Sequence, residues 1–259
     1  MTIRIGIAGI AGRMGRLLAE ETAAAGATLA GGTIRPGASL ATLPPGLPVL
    51  PDIVALCAAS DVVIDFTHAH AARAHVLAAA ETGTALVLGS SGLSATEEAA
   101  VAEAATRIPI VYAANFAPGV NLFLAIAERM AAALPGAQYD AEIVEMHHRQ
   151  KVDAPSGTAV ALGRAVAAGR GTTLEDAGRE SGRDGHCGPR GTGTIGFAAL
   201  RGGQVVGDHT LVFAAASEQI SLTHQSFDRR VYATGAVRAA AWVKGRAAGL
   251  YSMKNVLGM

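Results

Sequence analysis

Apolar and polar positions change period in a regular alternation along the chain. Residues 3–9 (IRIGIAG) form a short continuous apolar run rich in Ile, which predicts a strand buried on both faces. Residues 13–26 (RMGRLLAEETAAAG) repeat their apolar positions at helical spacing and stop at Gly26. The cycle then recurs. Residues 27–34, 61–67, 84–92 (strand and loop) and 108–116 predict further strands, and residues 70–83 and 94–107 predict helices. Ser94 and Glu97 stand at capping-box spacing, which marks a helix start there. Strands alternating with helices imply a parallel sheet with right-handed crossovers. The stretch 35–52 is rich in Pro and Gly and reads as loop.

Past Pro118 the pattern changes. Residues 120–134 predict a long helix, 141–148 a strand and 158–169 a helix. Residues 170–193 are polar, Gly-rich and nearly free of large apolar side chains, so one long loop is expected. Loops beyond about 12–15 residues are usually functional or disordered. Residues 194–201, 209–215 and 219–225 read as an antiparallel meander. Residues 229–245 return to helical spacing, with an apolar face that suits the parallel sheet of the first part. The fold class expected is α/β: a Rossmann-like doubly wound parallel sheet plus a second α+β domain with a mixed, largely antiparallel sheet. The boundaries expected are 1–117 with 229–259 for one domain and 118–228 for the other.

Half the residues are hydrophobic and only 16% charged, which excludes a disordered chain. Aromatics make up 4%, so the cores must be built from Ala, Val, Leu and Ile. Lys plus Arg equals Asp plus Glu at 21 each, which leaves no long-range attraction to nucleic acid or to an anionic membrane. Such low charge also hints at surface covered in an oligomer. Cys57 and Cys187 lack metal-ligand spacing and read as free thiols. The N-terminus enters a strand pattern at once, without the features of a signal peptide, and no apolar run reaches membrane-spanning length. A cytoplasmic protein is expected.

Candidate chemistry begins at Gly9–Gly15 (GIAGRMG), between the first strand and first helix. Its spacing is G-x-x-G-x-x-G, where the dinucleotide fingerprint is usually G-x-G-x-x-G. The glycines permit a tight turn and close approach, and the helix start offers N–H groups to a pyrophosphate. The alternative is a Gly-rich turn without a ligand. At the end of the second strand NAD enzymes place an acid for the ribose 2′-hydroxyl. Here Ile34 and Arg35 stand instead. Arg35 either meets the 2′-phosphate of NADPH or is a solvated loop residue.

Residues 145–158 (EMHHRQKVDAPSGT) concentrate polar chemistry in an otherwise charge-poor chain. His147 and His148 are adjacent on a strand and so point to opposite faces, which argues against joint chelation of a metal. No other histidine has zinc spacing, so no metal is expected. The stretch suits an anionic substrate: Arg149 and Lys151 bring positive charge, a histidine moves a proton, and Ser156 or Thr158 at a helix start can bond an oxyanion. Taken singly, Ser156 is a cap, Lys151 a solvated charge and His147 a satisfied strand residue.

In order, the segments GIAGRMG, DFT, AANFAPGVN, EMHHRQKVDAPSGTA, GTIGFAALRGGQVVGDHT and TGAVRAAAWV resemble the 4-hydroxy-tetrahydrodipicolinate reductase (dihydrodipicolinate reductase) family over essentially the whole chain. The resemblance implies a dinucleotide-binding first domain, a second domain for substrate binding and oligomerisation, and a homotetramer. It implies hydride transfer from NADPH or NADH to a cyclic unsaturated dicarboxylate in diaminopimelate and lysine biosynthesis. It implies His147 as proton donor, Lys151 as a second cationic or proton-donating group, and His148, Gly157 and Thr158 as substrate contacts, to which the helix-start reading adds Ser156. The cofactor would rest on Gly9, Ile10, Ala11, Gly12, Arg13 and Met14, on Gly89, Ser90 and Ser91, and on Ala113, Ala114, Asn115 and Phe116. Two departures stand out. Many relatives have Glu-Arg where Ile34-Arg35 stands, and losing the acid favours NADPH over NADH. The family's Gly-Thr-Thr-Gly loop is Gly89-Ser90-Ser91-Gly92 here, which keeps the hydroxyls. Two other readings remain open at this stage: a nicotinamide dehydrogenase for another substrate, and a non-catalytic dinucleotide sensor.

Overall fold

The computed structural model describes residues 2–35, 37, 43 and 46–259. Chain order begins β1 (Arg4–Ala8), α1 (Arg13–Ala24), β2 (Thr28–Gly32), α2 (Ile53–Ala59), β3 (Val62–Asp65), α3 (Ala69–Thr82), β4 (Ala85–Leu88), α4 (Ala95–Ala104) and β5 (Pro109–Tyr112). It continues with α5 (Pro118–Ala133), β6 (Asp140–His147), α6 (Gly157–Gly169), α7 (Leu174–Ala177), β7 (Arg179–Ser181), β8 (Ile195–Arg201), β9 (Gly207–Ala214) and β10 (Gln219–Ser226). It closes with α8 (Arg230–Val243), β11 (Gly249–Tyr251) and α9 (Met253–Leu257). The chain divides into two compact units, Met1–Pro118 with Arg230–Met259, and Gly119–Arg229.

The first unit holds a six-stranded sheet in the order β11-β5-β4-β3-β1-β2, parallel throughout. Every residue of β3 and β4 is buried, because helices cover both faces. Leu18 of α1, Ala233, Ala236 and Ala240 of α8 and Val256 of α9 pack with Ile5, Ile7 and Val87 on one side. Leu56 of α2, Val76 of α3 and Val101 of α4 pack with Val63, Leu86 and Ile110 on the other. The α4 start is the capping box expected from Ser94 and Glu97, with Ser94 N–H donating to Glu97 Oε2 at 2.6 Å. The helix α8 docks on α1, where Arg230 reaches Glu20 and Glu21 at 2.6 and 3.0 Å and Thr234 Oγ1 reaches Glu21 at 2.8 Å. At Gly235 a Cβ would lie 1.7 Å from the Phe116 carbonyl oxygen, so only glycine lets α8 cross that segment.

The second unit is a five-stranded mixed sheet, ordered β10-β9-β6-β8-β7. Here β9 is antiparallel to β10 and β6, whereas β8 is parallel to β6 and β7. The expected meander is therefore interrupted: β6 inserts between β8 and β9. On one face, Phe123 and Ala127 of α5 and Leu162 and Val166 of α6 pack with Ala141, Ile143, Ile195, Leu211 and Phe213. The segment 170–193, expected as one loop, contains α7 and β7. Its end is pinned by Arg190, whose guanidinium reaches Glu142 at 2.7 Å, Asp140 at 2.9 Å and the carbonyls of Ala141 and Thr194 at 2.9 and 2.6 Å. That fork satisfies carbonyls that the loop would otherwise leave to water. The Pro-rich stretch expected as loop at 35–52 falls partly outside the described residues.

Candidate active site

In the first unit, the glycine turn, Arg35 and the segments 89–91 and 113–116 all follow C-terminal ends of parallel strands, namely β1, β2, β4 and β5. Doubly wound sheets bind nucleotides at that edge. Gly9 adopts φ +69°, a left-handed conformation suited to glycine, and its carbonyl accepts the Gly12 N–H at 2.9 Å. The turn is tied to β2 by Gly9 N–H to Thr33 Oγ1 at 3.3 Å and Ile10 N–H to Thr33 O at 3.0 Å. The helix α1 starts with no side-chain cap and no acid in its first turn. Its leading N–H groups and positive dipole end therefore suit a pyrophosphate. Gly89 N–H donates to Asp65 O at 2.8 Å, Ser90 Oγ to Thr67 O at 3.1 Å, and Ala113 N–H to Leu88 O at 3.3 Å. Asp65, fully buried, organises the DFT segment by accepting from the Thr67 amide and hydroxyl and contacting His75 Nδ1 at 2.7 Å. Ile10, Ser90 and Phe116 are buried, backbone included, so they shape this edge from beneath. Phe116 packs on Phe66 with ring centroids 5.2 Å apart. Arg13 and Arg35 are exposed.

In the second unit, the period-2 alternation of β6 puts Glu145 and His147 on the helix-covered face beyond Ile143. Glu145 is 1% exposed. Arg201, at the end of β8 and in register with His147, grips it with a fork: Nη1 to Oε2 and Nη2 to Oε1, both 2.8 Å. The Ser156 amide donates to Glu145 Oε1 at 3.0 Å. His147 Nδ1 lies 2.6 Å from Glu145 Oε2. Burial alone would raise the Glu145 carboxyl, but the Arg201 fork, the His147 ring and the Ser156 amide outweigh it and hold it below the usual range. A carboxylate only accepts, so His147 Nδ1 carries a proton and Nε2 is the nitrogen left for chemistry.

Ser156 caps α6 by accepting the Ala159 N–H at 3.2 Å, and Gly157 and Thr158 form that helix's first turn. Nothing lies within 4 Å of the position a Gly157 Cβ would take. Lys151 is paired with Asp153, its Nζ 2.7 and 2.9 Å from the two carboxylate oxygens, and Arg201 Nη2 bonds the Asp153 carbonyl at 2.6 Å. His148, past the end of β6, is half-buried, and its carbonyl accepts the Lys151 amide at 3.1 Å. The structure thus gathers Glu145, His147, Lys151 and Ser156 around one turn, beside a helix start.

The dihydrodipicolinate reductase N-terminal family model matches residues 3–116 and its C-terminal counterpart residues 119–257. The chain belongs to the dihydrodipicolinate reductase family. A 4-hydroxy-tetrahydrodipicolinate reductase of Granulibacter bethesdensis is 65% identical over 258 residues, covering 100% of this chain and 98% of the relative. One of Gluconacetobacter diazotrophicus is 59% identical, covering 99% and 98%. Among solved structures, a dipicolinate-bound dihydrodipicolinate reductase from Paenisporosarcina sp. TG-14 superposes with a TM-score of 0.81 at 25% identity, covering 99% of this chain and 100% of that one. The first unit is accordingly this family's Rossmann-like nucleotide-binding domain. No helix among the described residues is long and apolar enough to cross a membrane.

Arg201 and His209 border the site but were not candidates from the sequence. His209 lies opposite Glu145 in register, with Nε2 2.9 Å from Ser156 Oγ. Period-2 spacing places each on the inner face of its own strand. Only the order of strands brings them beside β6.

Proposed function

We propose that this protein is an NAD(P)H-dependent 4-hydroxy-tetrahydrodipicolinate reductase, which forms tetrahydrodipicolinate in diaminopimelate and lysine biosynthesis. Beside family membership, the observation that carries the reading is the buried Glu145–His147 pair at the open start of α6. Bound NAD(P)H supplies hydride to the conjugated C=C–C=N system of the dehydrated ring. Electron density then builds on the ring nitrogen and its β-carbon, and a proton from His147 Nε2 goes to that carbon, which restores the C=N bond. Glu145, kept ionised by Arg201, holds Nδ1–H in place and stabilises the imidazolium that gives the proton up. The amides of Gly157 and Thr158, the Ser156 hydroxyl, His148 and Lys151 hold the carboxylates. Lys151 exchanges Asp153 for substrate at little penalty, since exposed pairs of that kind are worth about 0–1 kcal/mol. The segments 9–14, 89–91 and 113–116 would hold the cofactor, with the buried Ile10, Ser90 and Phe116 supporting them from beneath.

We further propose a preference for NADPH, with Arg35 on the 2′-phosphate. The test is NADPH and NADH oxidation measured side by side with substrate made fresh from pyruvate and aspartate semialdehyde. Wild type should favour NADPH. Arg35→Ala should raise the KM for NADPH about tenfold or more, the loss of a hydrogen-bonded charge pair, with little change for NADH. Equal use of both nucleotides removes the Arg35 assignment; no turnover with either, from protein that binds the nucleotide, removes the activity.

A homotetramer built through the second unit is part of the same proposal. The sheet face turned away from α5 and α6 exposes Val144 and Leu200, at 36% and 52%. Sedimentation velocity should give about four times the 26.1 kDa chain mass. A monomer would remove the tetramer. The free thiols of Cys57 and Cys187 fit the reducing cytoplasm.

A further inference from the structure

His209 has no part in the chemistry above, yet it is 4% exposed among the groups that perform it. Its ring meets that of His147 edge-on, with centroids 5.1 Å apart and planes at 76°. Its Nε2 is 2.9 Å from Ser156 Oγ. Its Nδ1 is buried with no hydrogen-bond partner among the described residues. Burial pushes the imidazole down to about 4, and the nearby His147 adds to this. At neutral pH the ring is therefore uncharged and carries a single N–H.

The unpartnered Nδ1 decides which nitrogen bears that hydrogen. A buried N–H without an acceptor is rarer in folded proteins than a lone pair without a donor. The hydrogen belongs on Nε2, which donates to Ser156 Oγ. Ser156 Oγ also accepts the Ala159 N–H at 3.2 Å. With both lone pairs engaged, the hydroxyl has only its own hydrogen left to offer, and it must point away from both donors. In the opposite tautomer Ser156 would donate to Nε2 and present an anion with a lone pair, which repels it.

We infer that His209 is a positioning residue: as a fixed Nε2–H donor it turns the Ser156 hydroxyl hydrogen outward, toward a carboxylate of the substrate. This deepens the reading of the α6 start as the dicarboxylate site and rests on it. His209 acts through Ser156, so its effect should vanish when Ser156 has no hydroxyl.

The test is calorimetric binding of pyridine-2,6-dicarboxylate to the full chain with saturating nicotinamide nucleotide, alongside KM and kcat for turnover. His209→Leu removes the donor, and His209→Asn is polar but too short to reach Ser156 Oγ. Each should weaken the dicarboxylate about tenfold and raise KM by a similar factor, with kcat changed less than about threefold. His209→Gln carries an N–H at the ε position and should stay within about threefold of wild type. On a Ser156→Ala background His209→Asn should have no further effect. Additive losses, or a Gln variant as impaired as Asn, would overturn the inference while leaving the reductase reading intact. Wild type that neither binds pyridine-2,6-dicarboxylate nor turns over the freshly made substrate would overturn both. Should the Leu variant fold poorly, the Asn and Gln variants alone decide.

Discussion

His147→Gln is expected to lower kcat by a factor of about 10²–10⁴, the usual contribution of a positioned general acid. Gln can place an N–H near the site of imidazole Nε2, and its amide can only donate to the Glu145 carboxylate. It cannot release a proton at neutral pH. The variant therefore separates donating a hydrogen bond from donating a proton, which a truncation to Ala would merge. Nucleotide affinity should be unchanged, because the glycine turn and α1 belong to the first unit and His147 to the second. Dicarboxylate affinity should fall only a few-fold, since Ser156, the α6 amides and Lys151 are untouched. Stopped-flow hydride transfer with nucleotide binding measured by fluorescence reads all three quantities. A variant with wild-type kcat would take the proton-donor role from His147 and leave His148 and Lys151 as the remaining acids of that stretch.

Much of the first unit could be read from periodicity because its strands are short, mostly apolar and separated from one another by helices. What escaped reading had weak signals. The helix α2 is only seven residues long and follows a Pro-rich stretch, although its Asp52 cap, accepting from the Ala55 amide at 2.8 Å, is a recognisable start. The strand β7 is Arg179-Glu180-Ser181, with no apolar alternation to mark it, and it exists because β8 offers a free edge. The error over β8 is of another kind. Strands that follow one another usually pair, and residues 194–215 contain a Gly-Gly turn that invites a hairpin. Instead β6, distant in sequence, takes the place between β8 and β9. The same fact hid half the site. Glu145 and His147 share a face by a spacing of two, which any reader of the strand can count. Arg201 and His209 join them only through the registers Arg201–His147 and His209–Glu145, which belong to the sheet order and not to any local pattern.

The Arg201 fork should dominate the stability of the second unit. Arg201→Met keeps the length of the side chain and removes both hydrogen bonds to Glu145, with those to the Leu200 and Asp153 carbonyls, leaving the Glu145 carboxylate buried against one imidazole and one amide. Breaking a buried pair from one side costs about 3–5 kcal/mol. Arg201 keeps 21% of its side chain exposed, so the loss should lie near the lower figure, about 3 kcal/mol at pH 7. The pH dependence carries the diagnosis. In the wild type Glu145 titrates below its ordinary value, so its contribution is full above the unfolded value and is lost as pH falls through the lowered one. In the variant, burial is opposed by less, and the carboxyl rises. The folded variant then takes up a proton more readily than the unfolded chain, and its deficit shrinks as pH is lowered from 7 toward 5. Adding Glu145→Gln to Arg201→Met removes the stranded charge and should recover more than half of the loss at pH 7 without acid. Urea unfolding of the three proteins at pH 5 and 7 measures this. A deficit that is the same at both pH values, and unrelieved by the second substitution, would mean that Arg201 acts through the carbonyls of Leu200 and Asp153 and not through Glu145.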